Sequence, residues 1–72
     1  MNERKRPLTD FGMEIKIQLM RKNKTQMWLI DEVKKILPNK YIDTSNLYKI
    51  MTGEICSPDI QAAIGTVLDI KS

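Results

Sequence analysis

The sequence predicts an all-α fold, a compact four-to-five-helix bundle. Three observations carry that prediction. Apolar residues recur at helical rather than alternating spacing throughout, as in Phe11, Ile15 and Leu19 at i, i+4 and i+8. Small polar residues stand at regular intervals just ahead of the apolar runs, where helix caps are needed. No stretch alternates with the two-residue period of a half-buried strand, and no internal repeat is present.

The first helix opens at Thr9 or Asp10, either of which can cap it, and the carboxylate suits the positive end of the helix dipole. Phe11, Ile15 and Leu19 form its inward stripe, and Lys22-Asn23-Lys24 ends it. Thr25 is the N-cap of the second helix, in which Leu29, Val33, Ile36 and Leu37 line one side with Ile30 beside them. Pro38 stops that helix because its ring cannot continue the hydrogen-bond ladder, and Asn39-Lys40 begins a turn. Asp43 caps a third helix with Leu47, Ile50 and Met51 facing inward and Gly53 as its left-handed terminator. Ser57-Pro58-Asp59 combines a cap, a proline at the first helical position and an acid in the first turn. The fourth helix buries Ile60, Ile64, Val67 and Leu68, Ile70 closes the core behind it, and Gly65 allows close packing.

Seventy-two residues make one domain, 8–72, preceded by a basic arm over 1–7 that carries Arg4, Lys5 and Arg6 and is either a flexible phosphate-seeking segment or simply a disordered start. A chain of this length buries only about 60% of its unfolded surface, leaving no room for a core plus an enclosed cleft. There is no histidine and a single cysteine, Cys56, expected to be a small semi-buried residue. Disulfides within the chain, Cys/His zinc sites and Ser/His/Asp or Cys/His catalysis are therefore excluded. Asp31 and Glu32 are adjacent, so on a helix they diverge by about 100° and cannot share a substrate. Gly12, Gly53 and Gly65 stand too far apart for a phosphate loop. An enzyme is not expected, and neither is a cofactor, a metal or a small-molecule substrate. No apolar run approaches the roughly 18 residues of a membrane span, which gives the expectation of a soluble cytoplasmic protein.

The charge is lopsided. Residues 1–24 hold seven basic and three acidic side chains, residues 25–53 four and three, and residues 54–72 one and three. Such a gradient lets the basic end face phosphates, although a solvated surface would look the same. Two short capped helices in a small basic chain, the second running Thr44-Ser45-Asn46-Leu47-Tyr48-Lys49-Ile50-Met51-Thr52-Gly53, have the shape of a helix-turn-helix.

Residues 11–70 resemble the lambda-repressor/Cro-like regulators of phages, prophages and mobile elements. The resemblance lies in Phe11-Gly12 with Ile15 and Leu19, Thr25-Gln26 with Leu29 and Val33, and Ser45 through Gly53 with Leu47 and Ile50, followed by Pro58. It implies a sequence-specific transcriptional regulator on double-stranded DNA in a bacterial cytoplasm. Gln26 would bond a phosphate and brace the third helix, Thr44 and Ser45 would reach base edges, and Tyr48 and Lys49 would follow on the same face. Thr52 or nearby amides would hold a phosphate. The chemistry of the residues agrees in kind, since hydroxyls and Asn46 bond bases or backbone and Lys49 suits guanine or phosphate. First-turn capping would equally account for Thr44 and Ser45.

Two features depart from the family pattern. Ten residues, Lys34 to Asp43, separate Val33 from Thr44, where a turn of about three is usual, so an extended connector joins the two helices. Met13, Ile17, Met20, Met27 and Trp28 exceed the core stripes. They either enlarge the core or form a partner surface, in a homodimer or against a partner repressor. The latter gives an alternative function, an anti-repressor or modulator that works by binding another regulator.

Overall fold

The computed structural model describes residues 7–70; the Arg4-Lys5-Arg6 arm lies outside the described residues. Four helices and no strand are present among the described residues: α1 Asp10–Lys22, α2 Gln26–Ile36, α3 Thr44–Thr52 and α4 Pro58–Leu68. The all-helical expectation holds, and no described helix is long and apolar enough to cross a membrane. α1 packs chiefly on α3 and α2 chiefly on α4, so the four elements enclose one core.

Local chemistry explains each helix start. Thr9 caps α1, its hydroxyl accepting the Gly12 N–H at 3.1 Å; Thr25 caps α2 through the Trp28 N–H at 3.1 Å; Asp43 caps α3 through the Asn46 N–H at 2.8 Å. Each satisfies one of the donors that a helix start leaves unpaired. Ser57 occupies the N-cap position of α4 but makes no side-chain capping bond. There Pro58 at the first helical position removes one unpaired donor and presets φ, so the start is fixed by the ring instead.

The helix ends share one device. Asn23, Gly53 and Asp69 all adopt left-handed backbone angles, at φ 56°, 83° and 59°. The N–H groups of Lys24, Glu54 and Ile70 then reach back five residues to the carbonyls of Leu19, Lys49 and Gly65 at 2.8–2.9 Å. Asp69 was no part of the expected terminators, because a non-glycine left-handed residue has a weak sequence signal.

The core comprises Ile15 and Leu19 of α1, Leu29, Ile30 and Val33 of α2, Ile42 of the connector, Leu47, Ile50 and Met51 of α3, and Ile60, Ala63, Ile64 and Leu68 of α4. Phe11, Trp28, Leu37, Val67 and Ile70 pack against its edge. Ile36 is a correction: assigned to the inward side of α2, it is 45% exposed, because the helix ends there and Leu37 leaves the axis to cover the core in its place. Cys56 is a second correction, exposed rather than semi-buried, on the segment between α3 and α4. The long connector is pinned by Ile42, which is 1% exposed, and by Lys40, whose Nζ stands 3.5 Å from Asp59 on α4.

Close packing falls on a different glycine from the one expected. A Cβ built on Gly65 would come no nearer than 3.4 Å to another group, the Ile70 carbonyl oxygen. A Cβ on Gly12 would lie 2.2 Å from the carbonyl oxygen of Met51, an impossible contact with rigid backbone. α1 therefore rests directly on the end of α3. Gly12→Ala is expected to lower the unfolding free energy by about 1–3 kcal/mol, the usual cost of overpacking. Gly65→Ala, by contrast, should leave the melting temperature unchanged or raise it, because alanine is the better helix former. Thermal melts of the two variants side by side check both.

Candidate nucleic-acid interface

α3 divides cleanly into an inner and an outer side. Leu47, Ile50 and Met51 point inward with exposures of 1% or less, whereas Thr44, Ser45 and Lys49 are exposed and Asn46 and Tyr48 half-buried. The division follows from helical spacing, since buried positions at i, i+3 and i+4 leave the intervening residues outward. Outward on this helix there are hydroxyls, one amide, one phenol and one ammonium, and no carboxylate.

Thr52 does not belong to that outer set. It is 6% exposed, and its hydroxyl donates to the Lys49 carbonyl at 3.1 Å, which satisfies the α3 terminus from within. The exposed groups at this end are Gly53 and Glu54, whose N–H groups are already bonded to the Ile50 and Lys49 carbonyls. Thr52 therefore serves the helix end and is not presented to a phosphate.

The connector leading into α3 is set by a small polar cluster. Tyr41 donates its hydroxyl to one carboxylate oxygen of Asp43, while the other oxygen accepts the Asn46 N–H. The Tyr41 hydroxyl bond, followed by the Asn46 N–H, holds the Asp43 carboxyl below its ordinary value of 3.8. The same bond and the charge of Asp43 push the Tyr41 phenol above 10.0. Sequence reasoning found the cap but not its second partner, because a tyrosine two residues upstream carries no signal of its rotamer.

At the junction of α1 and α2, Lys16, Leu19, Met20, Asn23, Lys24 and Gln26 line an open groove. Gln26 is half-buried at the first position of α2. The Lys24 ammonium sits 5.4 Å from the centre of the Trp28 ring, a cation–π arrangement that shields one face of the indole. Of the residues that exceed the core stripes, Met13, Met20 and Met27 are 49%, 75% and 56% exposed. Ile17 is half-buried, and Trp28, equally half-buried, packs against the core edge. A second groove, between α1 and α4, is rimmed by Asp10, Glu14 and Asp69. The surface thus carries a cationic cleft on one flank of α1 and an acidic one on the other.

The described residues hold eight basic and eight acidic side chains. The excess positive charge of the protein accordingly resides in the terminal segments, chiefly Arg4, Lys5 and Arg6. Comparison with protein-family models, with curated proteins and with solved structures finds no match to this chain.

The Asp43 cluster has a pH signature. A depressed carboxyl contributes stability that is present above its unfolded value and lost as pH falls through the lower folded value. The raised Tyr41 phenol contributes stability that is present below pH 10 and lost as pH rises through the higher folded value. Asp43→Asn keeps an acceptor for the Asn46 N–H but cannot titrate. Melting temperatures of this variant should fall less steeply with acid than those of the wild type. Tyr41→Phe should remove the phenol's share of the alkaline loss. Parallel melts from pH 2 to 11 check both.

Proposed function

We propose that this protein is a sequence-specific DNA-binding transcriptional regulator in which α2 and α3 act as a helix-turn-helix and α3 enters the major groove. One observation carries the reading: the outer side of α3 offers Thr44, Ser45, Asn46, Tyr48 and Lys49 with no acidic side chain among them, on a helix whose inner side is locked into the core. A rigid helix presenting short hydrogen-bonding groups is what base-edge recognition requires. Gln26, half-buried at the opening of α2 beside Lys24, supports the reading as a backbone contact. The resemblance of residues 11–70 to the lambda-repressor/Cro-like regulators points the same way.

The long connector fits the reading, because Ile42 in the core and the Asp43 cap hold α3 in place despite the loop's length. The electrical neutrality of residues 7–70 sets the affinity scale. Phosphate neutralisation supplies most non-specific affinity. With no net charge on residues 7–70, much of that share falls to Arg4, Lys5 and Arg6. A second reading, a modulator that binds a partner repressor, is favoured by the exposure of Met13, Met20 and Met27, since flexible methionines suit adaptable protein contacts.

Binding to DNA flanking its own gene, measured against random duplex over a range of salt, tests the proposal. Ser45→Ala or Lys49→Ala should weaken specific binding by about 1–3 kcal/mol where the side chain reaches a base edge. Binding of the wild type that is equal and weak on both duplexes would eliminate sequence readout, and an effect on DNA only through an added repressor would favour the modulator. Deleting residues 2–6 should leave the melt unchanged and flatten the dependence of DNA affinity on salt. An unaltered slope would remove the arm from the interface.

A further inference from the structure

The outermost side of α1 is apolar where a two-state amphipathic helix would be polar. Met13, Ile17 and Met20 stand at i, i+4 and i+7, which places them within about 60° of one another around the axis. Ile15 and Leu19, both buried, occupy the far side of the same helix. The stripe therefore faces away from the core, and its two methionines are largely uncovered, Met13 being 49% and Met20 75% exposed. Ile17 between them is half-buried and is not among the residues packed against the core.

On one flank of the stripe the charges are ordered along the helix, while the other flank carries the exposed Lys16 at mid-helix, about 40° from Met20. Asp10 and Glu14 lie in the first half of α1, and Arg21 follows in its last turn on the same flank, about 20° from each of the two acids around the axis. Among the described residues neither Asp10 nor Arg21 is engaged in a salt bridge or a side-chain hydrogen bond. Glu14 accepts from the Gln18 amide through Oε2 only, at 2.9 Å. A helix that is acidic at its start and basic at its end on one flank is complementary to a second copy of itself running antiparallel, which brings the two flanks to the same edge of the seam.

We infer that the Met13–Ile17–Met20 face of α1 is a self-association surface, on which α1 of a second copy docks antiparallel about a two-fold axis passing near Ile17. In that arrangement Met13 meets Met20 of the second copy and Ile17 meets Ile17. The flanks then bring Glu14 and Asp10 of one copy against the Arg21 end of the other. Because the operation is two-fold, each charge contact occurs twice and the assembly closes as a dimer. α1 is 13 residues long, so the shared seam is roughly 20 Å. A contact confined to one helix of that length belongs with the small, transient interfaces, so a weak, concentration-dependent dimer is expected. The inference does not rest on DNA binding.

Sedimentation equilibrium of the full chain over a range from about 1 µM to 1 mM tests it, with melts of every variant to confirm folding. The wild type should pass from monomer to dimer within that range. Met20→Glu, at the most exposed position of the stripe, should stay monomeric at least tenfold higher in concentration while melting like the wild type. Arg21→Glu should weaken the dimer as well, by opposing Glu14 of the second copy. Combining it with Glu14→Arg should restore association, because the antiparallel pairing is recreated with the signs exchanged. A wild type that remains monomeric to 1 mM overturns the inference, as does a dimer indifferent to Met20→Glu. If Arg21→Glu weakens association but Glu14→Arg fails to rescue it, the antiparallel register is wrong. If only a different protein binds the stripe, the second copy is not its occupant.

Discussion

The architecture depends on one junction, where the start of α1 meets the end of α3. The carbonyl oxygen of Met51 accepts both the backbone N–H and the hydroxyl of Thr9, each at 2.9 Å. The same hydroxyl accepts the Gly12 N–H and so caps α1. One threonine thus satisfies an unpaired donor of one helix and an unpaired acceptor of another, groups that would otherwise be buried at a cost. Gly12 makes the approach possible, because any side chain at that position would collide with Met51. Gly53 then turns the chain away in the left-handed region, with the Thr9 methyl 3.1 Å from where a Cβ would stand.

Around that junction the four helices are held by a core that draws on every element, including the connector. Ile42 matters here as much as any helical residue, since it converts a seven-residue link into a fixed spacer between α2 and α3. The Tyr41–Asp43–Asn46 arrangement completes the transition by fixing where α3 begins. The outward side of α3 is therefore held from both ends, by the Asp43 cap at its start and by the Thr9–Met51 contact at its finish. Residues that must present short side chains to a partner benefit from such rigidity, because less conformational freedom remains to be lost on binding.

The surface chemistry is divided among the helices. The outer side of α3 is polar and free of carboxylates, the α1–α2 cleft is cationic, and the α1–α4 groove is acidic. α1 separates the two grooves and carries an apolar stripe between them. The proposed recognition of DNA draws on α3 and the proposed self-association on the outward side of α1, and the two adjoin at the α1–α2 cleft, which Met20 lines together with Lys24 and Gln26.

How much of this was legible in the sequence follows from the range of the interactions concerned. Helix starts at Thr25 and Asp43, the terminator Gly53 and the inward residues of α3 all depend on neighbours within four positions, so spacing alone determined them, whereas for α1 it left Thr9 and Asp10 both open as caps. The all-helical class followed from the same local rules. Tertiary contact decided the rest. Gly12 rather than Gly65 is the glycine that close packing requires, because the colliding carbonyl is 39 positions away in the chain. Thr52 turns inward and Ile36 outward because a helix end permits either, and only the packed neighbours select one. The exposure of Met13 and Met20 was equally undecidable from periodicity, since an apolar stripe can face a core or a partner. The sequence by itself determined which segments are helices and where they begin; their mutual docking determined which of their faces remain available, because availability is a property of what packs against a residue and not of the residue.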